Sequence, residues 1–135
     1  KLKNKKIVIL GWTFKENTND SRESASIYIA KWLCNLGANI KIFDFNMTPN
    51  QISKDFITYK FNPDNYPEIP SEIESTITSA DAIIILTADK RFKDLDFGIS
   101  PIFDGRNFLN PDTYSLKNTI VSIDKCYVKR SKTDK

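Results

Sequence analysis

The chain has no histidine among its 135 residues, and it has only two cysteines, one methionine and four glycines. The first absence excludes the most chemistry. A histidine-based metal site, a Ser-His-Asp triad and a Cys-His pair cannot be built within this sequence. Cys34 and Cys126 are too few and too far apart for a disulfide framework or a CxxC site. No apolar run approaches the roughly 20 residues of a membrane span, and no signal peptide opens the chain, so a cytoplasmic protein is expected. Charge of neither sign dominates: 20 Lys+Arg stand against 17 Asp+Glu, a formal +3. Part of that excess sits in the ends, KLKNKK and KRSKTDK, and residues 1–5 and 125–135 read as solvated tails. The remainder is near neutrality or slightly acidic, which argues against an extended nucleic-acid surface. With Met47 as the sole methionine, the chain also reads as a piece of something longer.

What is present fits one soluble domain over residues 1–135. Apolar residues make up 40% and charged residues 27%, and the length suffices for a real core. The rest hangs from Lys6 to Arg22, KIVILGWTFKENTNDSR. Ile7 to Leu10 is a continuous apolar run that stops at Gly11, as in an inner strand of a parallel sheet buried on both faces. The polar loop that follows carries Lys15, Asp20 and Arg22. In open α/β sheets ligands collect just outside the carboxyl ends of the strands, so this loop is where chemistry is expected, and its cations favour an anionic ligand.

Further along, Ser21 or Ser24 is expected to cap a helix running to about Leu36, with Ile27, Ala30, Leu33 and Cys34 on its apolar face, Ile29 and Trp32 flanking them, and Gly37 ending it. Ala38 to Phe45 reads as a second strand, which completes a β-α-β unit with a right-handed crossover. Asp44 at its end invites a ribose-binding role. Gly11 lacks the other glycines of G-x-G-x-x-G, however, so a strand-end aspartate without ligand contact is the preferred reading. A short helix from Pro49 to about Asp55 and a strand from Phe56 to Phe61 follow, then a loop, FNPDNYPEIP. Ser71 is expected to cap a helix to about Ser79. Asp81 to Thr87, DAIIILT, is a second inner strand, a helical turn covers Arg91 to Leu95, and Pro101 to Asp104 and Thr119 to Ile123 are the last two strands. After Lys125 no packing signal remains and the chain reads as irregular. The sum is an α/β, three-layer Rossmann-like domain with a parallel sheet of about five strands.

Two blocks in this sequence carry a family resemblance. GWTFKENTNDSRES, Gly11 to Ser24, resembles the G-x-x-F-K-x-x-T-x-D-x-R-x-S signature that opens the C-terminal domain of the UDP-glucose/GDP-mannose dehydrogenases, and PIFDGRNFL, Pro101 to Leu109, resembles their F-D-G-R segment. The continuation to Ala38 is most similar to the animal and plant UDP-glucose 6-dehydrogenases. The resemblance covers roughly Lys5 to Ile123. It implies a UDP-sugar-binding domain in which Phe14 packs on the ligand and Lys15 and Arg106 bind it, while Arg22 reaches toward NAD held mainly by another domain. Read on their own, Lys15 and Arg106 are equally solvated surface cations, and Arg22 is a salt-bridge partner of Asp20 or Glu23. Asp104 is expected to orient its loop, and Asn17, Thr18, Asn19 and Asp20 to fix theirs through side-chain to backbone bonds.

The family reaction is the four-electron oxidation of UDP-glucose to UDP-glucuronate. It needs a nucleophilic cysteine, a lysine, an aspartate and a Gly-rich NAD site that the family places elsewhere. Cys34 matches no catalytic cysteine motif and reads as a buried thiol. The resemblance therefore implies a domain that binds without turning over, part of a homo-oligomer when full-length, with no catalytic residue and no metal site of its own. UDP-N-acetylhexosamine or GDP-mannose dehydrogenase, or a free-standing nucleotide-binding module, remain alternatives. Two departures stand out: Thr87-Ala88-Asp89 replaces a Thr-Glu-Trp-like segment, and Asn62 to Pro70 matches no family pattern.

Overall fold

The computed structural model describes residues 1–15, 17–110 and 118–122, and the backbone of 126–127. Five strands run parallel: β1 (Lys6–Leu10), β2 (Asn39–Phe43), β3 (Ala82–Ile85), β4 (Ile102–Asp104) and β5 (Ile120–Ser122). A two-residue strand β6 (Cys126–Tyr127) pairs antiparallel to β5, and the spatial order is β2-β1-β3-β4-β5-β6. Among the described residues α1 (Ala25–Asn35) joins β1 to β2, and α2 (Pro49–Thr58) and α3 (Ile73–Thr78) lie between β2 and β3. Order reverses between β1 and β3, the chain going left from β1 to β2 and right from β3 onward. The point of reversal is where doubly wound sheets open a crevice.

Apolar residues alternate across this sheet into two cores. Ile7, Ile9, Ile40 and Ile42 face Ile27, Ala30, Leu33 and Cys34 of α1 and Ile52 and Phe56 of α2. Val8, Leu10, Ile83, Ile85, Ile102 and Ile120 face Ile73 and Ile77 of α3 and Phe92 and Phe97 of the following connection. Gly11 ends β1 at φ +101°, and a Cβ there would lie 2.3 Å from Thr87 Oγ1. Only glycine fits between the two strand ends.

Several expectations are corrected. Phe56 to Phe61 is not a strand: α2 continues to Thr58, because Ile52 and Phe56 fall one turn apart beneath Trp12 and because Thr48 and Gln51 close a capping box. Ser24 holds the N-cap position of α1, but its hydroxyl accepts no helix N–H and donates instead to the Trp12 carbonyl at 2.9 Å. Glu72, not Ser71, precedes α3. Trp32 does not join the apolar face of α1, being 62% exposed. Cys126–Tyr127 is a strand rather than irregular chain. DAIIILT is not buried on both faces, since Ala82 and Ile84 are only partly covered. The end of the expected strand Thr119 to Ile123 lies outside the described residues. Gly37 ends α1 as expected, with φ +90° and its N–H on the Cys34 carbonyl at 2.9 Å.

Candidate ligand site at the carboxyl edge of the sheet

The loop after β1 is a rigid frame with an exposed tip. Trp12 is fully buried against Phe56 and Phe61, and its Nε1 donates to Asp55 Oδ2 at 2.8 Å. Ser21 donates to the same oxygen at 2.6 Å, and Ser26 to the Gly11 carbonyl at 2.6 Å. Asp44 completes the frame: Oδ2 accepts from Trp12 N and Thr13 N at 2.7 and 3.1 Å, and Oδ1 from Asn46 N at 2.7 Å. Its carboxylate is buried and spent on backbone, which settles Asp44 as a structural aspartate. The Thr18 hydroxyl and the Asp20 carboxylate also bond backbone within this loop.

The tip carries Phe14 and Lys15. Phe14 is 59% exposed although it sits in a ring-closing turn, its N–H donating to the Asp20 carbonyl at 2.6 Å. Lys15 is exposed, and its carbonyl accepts from Thr13 Oγ1 at 2.9 Å. Thr87 Oγ1 donates to the Thr13 carbonyl at 3.2 Å and ties the loop to the end of β3.

Three turns along this edge share one pattern, Asp-x-Arg. In Asp20-Ser21-Arg22 the Arg22 backbone N–H and Nε both donate to Asp20 Oδ1 at 3.0 Å, and the guanidinium closes on Oδ2 at 2.9 Å. That fork holds the exposed Asp20 carboxyl down at about 2, first through the Arg22 side chain and then its backbone N–H. In Asp89-Lys90-Arg91 the same three bonds form at 2.9, 3.0 and 2.6 Å. Arg91 also donates to Asn46 Oδ1 at 2.9 Å and lies 4.6 Å over the Phe45 ring. In Asp104-Gly105-Arg106 only the backbone bond remains, Arg106 N to Asp104 Oδ1 at 3.0 Å. Asp104 Oδ2 is instead occupied by Phe108 N and Leu109 N at 2.9 and 2.8 Å. With Oδ2 occupied by backbone, the Arg106 side chain makes no fork with Asp104 and is exposed, where bidentate donors can meet a phosphate.

The structure thus puts Phe14, Lys15 and Arg22 on the loop after β1 and Arg106 on the turn after β4, all at the carboxyl edge. It pairs Arg22 with Asp20. Between the loops of β1 and β3 lies a cleft of about 400 Å³ lined by Asn17, Ala88, Asp89, Lys90 and Arg91. Lys90 and Arg91 were not anticipated; the signal was the repeated Asp-x-Arg spelling at successive strand ends. A second cleft, about 440 Å³, lies under Phe43 and Phe45 with Glu72, Glu74 and Asp94 on its rim, the wrong sign for an anion. Cys34 is buried, and desolvation pushes its thiol up to about 11, so it is a poor nucleophile at neutral pH. Among the described residues no three His, Cys, Asp or Glu gather as a metal site, and no helix is long and apolar enough to cross a membrane.

Comparison with known proteins decides the family. Residues 8–111 match the model of the UDP-glucose/GDP-mannose dehydrogenase family, UDP binding domain. The chain belongs to this family. Among curated relatives, UDP-glucose 6-dehydrogenase of Gallus gallus is 37% identical over 118 residues, covering 78% of this chain and 24% of that protein. UDP-glucose 6-dehydrogenase 2 of Arabidopsis thaliana is 34% identical over 128 residues, covering 79% and 27%. The chain therefore spans about a quarter of the length of these relatives. The fold matches a UDP-glucose dehydrogenase from Pyrobaculum islandicum at a TM-score of 0.70 and 23% identity, over 90% of this chain and 25% of that one. An NDP-N-acetyl-D-galactosaminuronic acid dehydrogenase from Methanosarcina mazei matches at 0.69 and 24%, over 91% and 25%. The Rossmann-like α/β architecture expected for a UDP-glucose/GDP-mannose dehydrogenase domain is the one observed.

Proposed function

We propose that this domain holds the nucleotide end of UDP-glucose within a UDP-glucose 6-dehydrogenase, with Phe14 packing on the ligand and Lys15 and Arg106 binding its diphosphate or sugar oxygens. The observation that carries the reading is the exposed Arg106 guanidinium, which makes no fork with Asp104, whose Oδ2 is occupied by two backbone N–H groups. The relatives are named for UDP-glucose, which favours that substrate over the UDP-N-acetylhexosamine and GDP-mannose alternatives. In the full-length protein, a cytoplasmic homo-oligomer in this reading, NAD held mainly outside this domain would supply the oxidant for the four-electron oxidation.

The described residues do not form a dinucleotide site. Gly11 stands alone, and the space beside it is filled by Thr87 rather than open to a pyrophosphate. Arg22 is accordingly a peripheral contact to a cofactor held elsewhere, reached by exchanging its Asp20 partner. The domain alone binds and does not turn over.

Calorimetric titration with UDP, UDP-glucose and GDP tests this. The expected result is uridine-selective binding that weakens about tenfold or more in Lys15→Ala and in Arg106→Ala, the worth of one charge-assisted contact. Equal affinity for GDP, or unchanged affinity in both variants, would overturn the assignment.

A further inference from the structure

The loop that carries Phe14, Lys15 and Arg22 is closed by a residue of α2, far from it in sequence. Asp55 Oδ2 accepts from Trp12 Nε1 at 2.8 Å and from Ser21 Oγ at 2.6 Å. Trp12 stands just before the tip, and Ser21 immediately precedes Arg22. One carboxylate oxygen therefore joins the outgoing and returning legs of the loop. Both distances lie in the range of charge-assisted bonds, the stronger class. Tyr59, the C-cap of α2 and one turn on from Asp55, accepts from Glu23 N at 3.1 Å, so the same flank of the helix holds the chain on past Arg22.

Asp55 is itself fixed. Its neighbour Phe56 is buried with its ring 6.0 Å from that of Trp12, and the capping box of Thr48 and Gln51 sets where α2 begins. The tip has no such support of its own, since Phe14 and Lys15 are both exposed. Their placement is inherited from the base of the loop, where the Phe14 N–H meets the Asp20 carbonyl while the two legs keep a fixed separation. Asp44 holds Trp12 N and Thr13 N, which belong to the first leg alone. Ser24 Oγ braces the Trp12 carbonyl further down, after Arg22. Asp55 acts nearer the tip, through Ser21, and sets the separation there. An exposed ring and a long cationic side chain lose less freedom on binding when the backbone that bears them is already ordered.

We propose that Asp55 is a positioning residue for ligand binding: without touching the nucleotide, it holds Phe14, Lys15 and Arg22 in the arrangement that receives it. The role rests on the assignment of Phe14 and Lys15 to the nucleotide. An asparagine side chain offers one acceptor oxygen with two lone pairs, so Asp55→Asn can take both donors, whereas Asp55→Ala can take neither. A carboxylate that merely stabilised the fold would change how much protein is folded, and not the UDP affinity of the folded form.

Amide hydrogen exchange followed by NMR, paired with calorimetric UDP titration, tests this on the 135-residue chain well below its unfolding temperature. In Asp55→Ala the Phe14 amide exchanges several-fold faster, while the Leu86 amide, bonded to the Leu10 carbonyl, keeps its wild-type rate. UDP affinity falls about tenfold in the same variant. Asp55→Asn restores most of both. Ser21→Ala, which removes a single oxygen and carries the same test if the larger deletion fails to fold, gives a smaller change of the same kind and adds little to Asp55→Ala. Ile77→Val loosens the opposite core and leaves the Phe14 amide and UDP affinity as in wild type. A Phe14 amide that exchanges at the wild-type rate in Asp55→Ala and Ser21→Ala, or faster exchange with undiminished UDP affinity, would overturn the proposal. If Lys15→Ala loses affinity and Asp55→Ala does not, the positioning role fails and the nucleotide site stands; if wild type binds no UDP, both fail.

Discussion

The turn after β3 and the turn after β4 are spelled alike, and their arginines do opposite things. Arg91 closes on Asp89, reaches Asn46 and covers Phe45, so it ties the β2 and β3 loops together. Arg106 keeps only a backbone bond to its aspartate, because Phe108 and Leu109 have taken the second oxygen. Which donors occupy the second carboxylate oxygen separates the Asp-x-Arg arginine that closes on its aspartate from the one that stays exposed. Along the whole edge the buried carboxylates of Asp44, Asp89 and Asp104 build, and the exposed cations Lys15 and Arg106 face outward.

That contrast breaks most sharply at Asp104. Asp104→Ala strands three backbone N–H groups, two of them behind a nearly buried strand end, and is expected to cost about 3 kcal/mol in urea denaturation. A stability equal to wild type would show that the turn does not depend on its carboxylate. Arg91→Ala comes next, at about 1.5 kcal/mol, since it removes a cation–π contact and leaves the buried Asp89 without its counter-ion. Arg106→Ala should stay within about 0.5 kcal/mol of wild type, as for a surface side chain. If the two arginine variants unfold at the same denaturant concentration, the distinction between them fails.

The smallest effect is in acid. Asp20 is lowered from 3.8 to about 2 by the Arg22 side chain, and Asp89 is lowered chiefly by the Arg91 side chain. A depressed carboxylate stabilises the folded form above its unfolded value and loses that contribution as pH falls through the folded one. Both forks are therefore intact above pH 4, and the Asp20 fork opens between about 4 and about 2. Carbon-detected titration of the two carboxyls checks this, and an Asp20 midpoint near 3.8 would remove the fork from solution.

The sheet was legible because β1 and β3 are apolar runs bounded by charge, glycine or threonine and β2 alternates between apolar and polar residues, patterns carried by local sequence. Phe56 to Phe61 misled because FITYKF has strand composition, whereas its state is set by Trp12, forty-four positions earlier, which needs Ile52 and Phe56 on one helical face. The position of Phe14, Lys15 and Arg106 at the carboxyl edge was legible through motif. Which arginine is presented was not, because that depends on backbone donors two and three residues beyond Arg106.

Thermal unfolding with and without saturating UDP tests the central claim in one measurement, on wild type and on the Lys15→Ala/Arg106→Ala double variant. The division between building carboxylates and presented cations predicts equal unfolding temperatures without ligand, a rise with UDP in wild type, and no rise in the double variant. A double variant that unfolds well below wild type without UDP, or that gains the same stabilisation from it, would contradict the account.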